Sequence, residues 1–433
     1  MKKLTTILGL FFIMNLIGCT VGGNIVIPTL ASITVTPSNP SIVNTTPLQF
    51  TATATDTGGN TYDITSYVTW TSATTTVATI SSSGIATGTG AGTSVITASL
   101  NSVSGSTTLT VTKLVTVYAV GYYYNDIKFG PFTAVAWKDG IMTELPAVPG
   151  QDSKANSVYV SGNNVYVAGY YNDGNRNIAV VWKDGVKLYD LPAGGPALAS
   201  SIFVSGGSVY VAGSYIDGLN FATVWKDGVK LYDLPTFGGT AGGTPAIYVD
   251  NGSVYVVGNY SIGGAPAVAT VWKDGAILYS LDSGGNDAAA NSVYVNAGSV
   301  HVTGLWWVGG AYYIPCYWNA AAKTDLSSTF GTTSMGNSIF VSNGVVYIAG
   351  SNNDGQNDIA TLWQDGTQIP LASTGNNSAA NSIYISAGST YIAGYINDGI
   401  NDIPTVWKDG VAASLPVGAG PKATANSIFV NIY

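Results

Sequence analysis

The sequence is poor in the side chains that most catalytic chemistry draws on. It has one histidine (His301), one glutamate (Glu144) and two cysteines (Cys19 and Cys316). A histidine-rich zinc centre is therefore excluded, as is any triad that needs a second histidine. Two cysteines do not make a disulfide framework. Charged residues are 9% of the 433, and the formal net charge is −8. That acidic balance lacks the basic footprint nucleic acid requires, so no nucleic-acid partner is expected. The apolar run from Ile7 to Ile17 is too short for a membrane-spanning helix. What is abundant instead is Gly, Thr, Ser, Val and Tyr, a mix that favours strands and tight turns over helices. The length is too great for one ordinary core, so two or three units are expected.

The chain opens "MKKLTTILGLFFIMNLIGCT", two lysines followed by the apolar run. This is the n-region and h-region of a secretory signal. It ends in Leu16-Ile17-Gly18-Cys19, which resembles the lipobox of bacterial lipoproteins. The resemblance implies that residues 1–18 are removed, that Cys19 is acylated on its thiol and its new amino group, and that residues 19–30 act as a tether. The membrane is then met only through the lipid anchor. Thr20, rather than Asp, follows the cysteine, and by the same resemblance this implies a cell-envelope location at the outer membrane or cell surface.

Residues 31–113 read as short Thr/Val/Ile strands with period-two alternation, as in "SITVTP", "LQFTATATD" and "SVITASL". At this size they predict a β-sandwich. "SITVTPSNPSI", "VTWTSATTTVATIS" and "GIATGTGAGTSVITA" resemble the bacterial Ig-like group-2 (BIG2) domain, with Trp70 as its core tryptophan. Such domains serve as spacers or adhesion modules. "GTGAGT" is a turn and not a dinucleotide loop, because strand pattern follows it instead of helix.

Residues 114–433 are repetitive. Tryptophans recur at 137, 182, 225, 272, 318, 363 and 407, spaced 45, 43, 47, 46, 45 and 44 apart, and five are followed by Lys-Asp-Gly. "WKDGVKLYDLP" occurs twice without change, from Trp182 and from Trp225. A second marker of the "NSVYV" type also appears seven times, from Asn156 to Asn426. A period in the forties built of short strands predicts β-propeller blades of four strands. The Asp-Gly pair supplies the positive φ angles of a two-residue hairpin between the third and fourth strands. The region starts in second-strand material near Val115 and ends on a first strand, so the C-terminal strand is predicted to complete the first sheet. The predicted fold is thus all-β, an Ig-like β-sandwich followed by a seven-bladed β-propeller closed by the C-terminal strand.

The longer loops between second and third strands gather on one face, where a ligand site is predicted. Two residues beyond the glycine that ends each second strand stand Tyr123, Tyr171, Tyr215, Tyr260 and Trp306. Trp307, Tyr312 and Tyr313 join them in what reads as a long irregular loop. Aromatics of this kind stack on sugars or anchor proteins, and they also pack between sheets. "YNDGNRNI", "NNDGQNDI" and "INDGINDI" place Asp173, Asp354, Asp358, Asp398 and Asp402 in Gly-containing loops. These are the only candidates for calcium, and Asn-Asp-Gly is also ordinary turn chemistry, so no cofactor is expected. Asn156, Asn291, Asn337, Asn381 and Asn426 are placed near the mouth of the channel, bonding to backbone. His301 and Cys316 read as packed side chains, and no nucleophile–base pair can be assembled. The composite expectation is a monomeric, lipid-anchored surface protein that binds a glycan or another surface protein and is not an enzyme. An extracellular polysaccharide hydrolase or lyase, and a structural scaffold of the envelope, are the alternatives.

Overall fold

The computed structural model describes residues 30–125, 130–281, 283–309, 312–329, 332–418 and 420–433, so Cys19 and the leader lie outside the described residues. Among those described, every regular element is a strand and none is a helix. The chain divides into two compact units, Met1–Val115 with Ile432–Tyr433, and Thr116–Asn431.

The first unit has three small sheets around one core. Leu30–Thr36, Thr51–Asp56 and Thr61–Asp63 form one; Ser41–Val43, Val103–Thr112, Gly92–Leu100 and Thr69–Ser72 form the second; Pro47–Gln49, Ile85–Gly88 and Ala78–Ile80 form the third. Alternation buries one set of side chains from each strand, among them Ile33, Val35, Phe50, Ala52, Ile96 and Leu109. Trp70 joins this core beside Phe50, and its indole N–H donates to the Thr65 carbonyl at 3.0 Å.

The second unit is seven four-stranded antiparallel sheets, numbered 1 to 7 here along the chain. Sheet 2 shows the plan: Ser153–Ser161, Asn164–Asn172, Asn177–Lys183 and Val186–Asp190, in that order from inner to outer strand. Sheet 1 is assembled from both ends of the unit. Its inner strand is Ala423–Ile432, laid beside Val115–Tyr124, which is followed by Phe132–Lys138 and Ile141–Glu144.

Three kinds of bond pass from sheet to sheet, and each returns from the seventh to the first. The repeat tryptophans are at most 1% exposed. The Trp182 indole donates to the Pro146 carbonyl at 2.8 Å and that of Trp225 to Pro192 at 2.8 Å, each reaching the preceding sheet; Trp137 reaches Pro416 at 2.8 Å. Each inner strand also carries a bulge, and in most sheets an asparagine amide crosses from it to a carbonyl of the next sheet. Asn337 bonds Ala380 at 3.0 Å, Asn381 bonds Ala425 at 3.0 Å and Asn426 bonds Ala155 at 2.9 Å. Finally, seven inner-strand aromatics touch in a closed cycle: Tyr159, Phe203, Tyr248, Tyr294, Phe340, Tyr384 and Phe429, with centroids 4.6–5.1 Å apart. Each ring therefore touches the rings of the two neighbouring sheets. The glycine expected to end each second strand lies inside it, where it packs against its own sheet: a Cβ on Gly213 would lie 2.1 Å from the Leu198 oxygen and 2.9 Å from the Trp225 ring.

Candidate functional site

In a strand, neighbouring side chains face opposite sides. Two residues past the second-strand glycine, Tyr123, Tyr171, Tyr215 and Tyr260 are 4%, 9%, 6% and 7% exposed. They were expected to offer their rings to a ligand; instead the rings are buried between sheets. Only phenolic ends are polar-bonded there: Tyr123 to Glu144 at 2.6 Å, Tyr171 to Asp190 at 3.3 Å and Tyr215 to Asp233 at 3.1 Å. Tyr260, whose sheet has Ser280 in place of the acid, packs on Phe237 and Trp272.

One residue past the glycine, the side chains lie on the opposite face of each sheet. Tyr122, Tyr170 and Tyr395 occupy that position in sheets 1, 2 and 7, which are cyclic neighbours, and all three are half-buried. Burial raises all three hydroxyl pKa values, that of Tyr170 to about 12, and Tyr395 is raised further by the carboxylates of Asp402 and Asp358. Tyr122, Tyr124 and Phe132 pack edge to face, and the Lys154 ammonium lies 4.2 Å from the Tyr122 centroid and 3.9 Å from that of Phe132. Burial lowers the Lys154 pKa, with Asp152 opposing. A concavity of about 440 Å³ opens on the same end, lined by Thr244, Asn291, Asn337, Ser351, Asp358 and Tyr395, among others. Its asparagines belong to inner strands, three residues before the aromatic cycle. The site is therefore a mouth with an aromatic floor. Tyr122, Tyr170 and Tyr395 were missed in the sequence because residues one and two past the glycine are both frequently tyrosine, and the pattern alone does not say which face each takes.

The tryptophan pair divides in the same way. Instead of opening a long irregular loop, both lie in the regular strand Ser299–Val308, paired with Tyr312–Asn319. Trp306 is engaged internally, donating to Asp325 at 2.8 Å with the Lys323 ammonium 3.4 Å from its ring centroid. Trp307 stacks edge to face on Tyr313 at 4.6 Å and shares the parity of Tyr122, whereas Tyr312 pairs with Val308 at the strand end.

The acidic loops do not converge on a cation. The Asp173, Asp354 and Asp398 side chains each accept two backbone N–H bonds from their own loop, at 2.7–2.9 Å, which holds their pKa values below the usual carboxylate range. Asp358 and Asp402 accept the amides of Asn353 and Asn397 at 2.9 and 2.7 Å. Among the described residues no three acidic, histidine or cysteine side chains are grouped to hold a metal. His301, 8% exposed, bonds the Tyr317 hydroxyl through Nδ1 at 2.6 Å, and burial lowers its pKa. Cys316 is fully buried, and burial pushes its thiol pKa up.

No family model matches the chain. Over 84 residues, 19% of its length, it is 45% identical to ice-binding protein 1 of Shewanella frigidimarina (strain NCIMB 400), and the match spans 9% of that protein. Among solved structures it is similar to a Mycobacterium tuberculosis puromycin-hydrolyzing peptidase, with a TM-score of 0.46 and 10% identity, over 68% of this chain and 50% of that one. At that score the likeness bears on neither fold nor activity.

Proposed function

We propose that the chain is an exported binding protein of the bacterial cell surface. In this reading the seven sheets are blades of a closed propeller, the first unit is an Ig-like spacer of the BIG2 type, and acylated Cys19 anchors both to the envelope. The partner is a glycan or a surface protein, held at the axial mouth. One observation carries the reading: a concavity lined by the half-buried Tyr395 ring, the amides of Asn291, Asn337 and Asn381 and the Asp358 carboxylate, a mix of groups that suits a small ligand. The cyclic Trp, Asn and aromatic contacts support the propeller, because each returns to its start. The partial identity to a protein named for binding ice supports an exported binding role; ice itself is the ligand of that relative.

The test is an array of glycans and envelope proteins probed with the full chain and with Tyr395→Ala. The reading expects at least one ligand whose affinity falls tenfold or more in the variant while thermal melting stays unchanged. A chain that retains nothing, or a ligand indifferent to Tyr395→Ala, would overturn it.

A further inference from the structure

At the mouth, the pair formed by the residue three past the strand-two glycine and its strand-three partner differs from sheet to sheet. It is Tyr124 with Phe132 in sheet 1, Asn172 with Asn177 in sheet 2 and Trp307 with Tyr313 in sheet 5. In sheets 6 and 7 it is Asn353 with Asp358 and Asn397 with Asp402. Passing from sheet 5 through 6 and 7 to sheet 1, the rim therefore reads aromatic, acid, acid, aromatic. Tyr395, two residues before Asn397 on the same strand, lines the concavity together with Asp358.

The two acids are not required by the turns they sit in. Sheet 2 builds the same loop with asparagine: Asn172 Nδ2 donates to Asn177 Oδ1 at 3.0 Å, where Asn353 and Asn397 donate to Asp358 and Asp402 at 2.9 and 2.7 Å. The neighbouring backbone bonds, Gly174 N–H to Asn172 and Gly355 N–H to Asn353, are repeated as well. What aspartate adds in sheets 6 and 7 is charge. Among the described residues that charge has no lysine or arginine partner, since the ion pairs are Lys187–Asp190, Lys230–Asp233 and Lys323–Asp325. Of the cations at this end, Lys154 is taken up by Tyr122 and Phe132 on the sheet 1 and 2 side, beside Asp152, while Arg176 stands in the sheet 2 loop and Lys422 at the start of the inner strand of sheet 1, none of them on sheets 6 and 7. Asn291, Asn337 and Asn381 each donate one Nδ2 hydrogen to a carbonyl of the next sheet, which fixes their amides with an oxygen that accepts from, and a second N–H that donates to, hydroxyls.

Resting on the binding reading above, we propose that the mouth takes the end of a glycan bearing free amino sugars, glucosamine units without N-acetyl groups. The ammonium sits at Asp358 and Asp402, the ring lies against the arc's aromatics, and the hydroxyls meet the asparagines. Hydroxyls and a flat sugar face are what separate this ligand from a lysine side chain, which would use the acids alone.

Calorimetric titration of the full chain with de-N-acetylated chito-oligosaccharides, their N-acetylated counterparts, uronate oligomers and poly-lysine tests this. The free-amine sugar is expected to bind at least tenfold more tightly than the acetylated one. The Asp358→Asn, Asp402→Asn double variant should lose at least tenfold in affinity with melting unchanged, as the Asn172–Asn177 pair of sheet 2 predicts. Equal or tighter binding of the acetylated sugar, full affinity in the double variant, or stronger binding of poly-lysine would each overturn the proposal. A neutral or acidic glycan that binds and is lost in Tyr395→Ala would overturn the amine preference and leave the binding reading standing.

Discussion

The two ends of the seven sheets are made from the same repeats and differ in what varies. At the turn end, Asp139, Asp184, Asp227, Asp274, Asp365 and Asp409 all have φ of 47–50°, each followed by a glycine at positive φ. Each carboxylate also caps a backbone N–H of the second strand, as Asp227 does for Val209 at 2.7 Å and Asp184 for Val165 at 2.8 Å. One geometry serves six sheets, so selection for folding explains the residues. At the mouth end, the residue three past the strand-two glycine is Tyr124, Asn172, Ile216, Trp307 or Asn353, and the loops that follow differ in length, with Asp217 paired to Leu219 in sheet 3 where sheet 2 pairs Asn172 with Asn177. Variation of this kind on a repeated scaffold is where a ligand's chemistry can be written.

The harshest way to break this comparison is to remove what both ends share. Deleting Asn426 to Tyr433 takes away the bond from the Asn426 amide to the Ala155 carbonyl and that from the Val158 N–H to the Ser427 hydroxyl, along with Phe429 of the aromatic cycle. It also bares an edge of sheet 1. Loss of several kcal/mol is expected, lowering the melting temperature by roughly 10 °C or more, and ligand binding should go with it. Unaltered calorimetric melting would show that the sheets do not depend on closure.

A smaller change separates the ends. Asp227→Ala puts a Cβ-bearing, non-capping residue at φ 49° and uncaps Val209, and should cost about 1–2 kcal/mol in urea unfolding. Asp227→Asn, which keeps the cap and tolerates the angle, should be near neutral. Neither should change ligand affinity, and a binding defect would erase the distinction between the ends. Ala320 already stands at φ 52° in sheet 5, so the site tolerates alanine at a cost.

The smallest expected effect is a dependence on pH near the turn end of sheet 5. Where five of the other sheets set a lysine over a tyrosine, as Lys226 does over Tyr210, and sheet 6 pairs Tyr347 with Gln364, His301 faces Asn319. With its pKa held below the ordinary 6.5 by burial, folded His301 takes up a proton later than the unfolded chain does. Its contribution is therefore intact above about pH 6.5 and declines as pH falls below it. His301→Tyr should flatten the slope of melting temperature between pH 7 and 5. An unchanged slope would place the proton uptake elsewhere.

Much of the scaffold was legible in the chain. Trp137 to Trp407 keep their beat because each indole fills the gap to the preceding sheet, and Asp-Gly marks a turn because few other pairs adopt its angles. That residues 423–432 join sheet 1 followed from where the repeat pattern begins and stops. The mouth was not legible. Tyr122 and Tyr123 are adjacent in sequence and similar in chemistry, yet they lie on opposite faces of the sheet, and Tyr123 is buried against Glu144.

Sequence by itself determined the strands, the hairpin turns and the number of sheets, because those depend on local angles and on side-chain alternation within a few residues. Only the tertiary structure decided which face of each strand looks inward, and that Asp358 and Asp402 stand between the aromatic pairs of sheets 5 and 1. The sheet 5 pair precedes the acids by about 45 to 95 residues along the chain and the sheet 1 pair by about 225 to 280, and they meet only where packing brings successive sheets together.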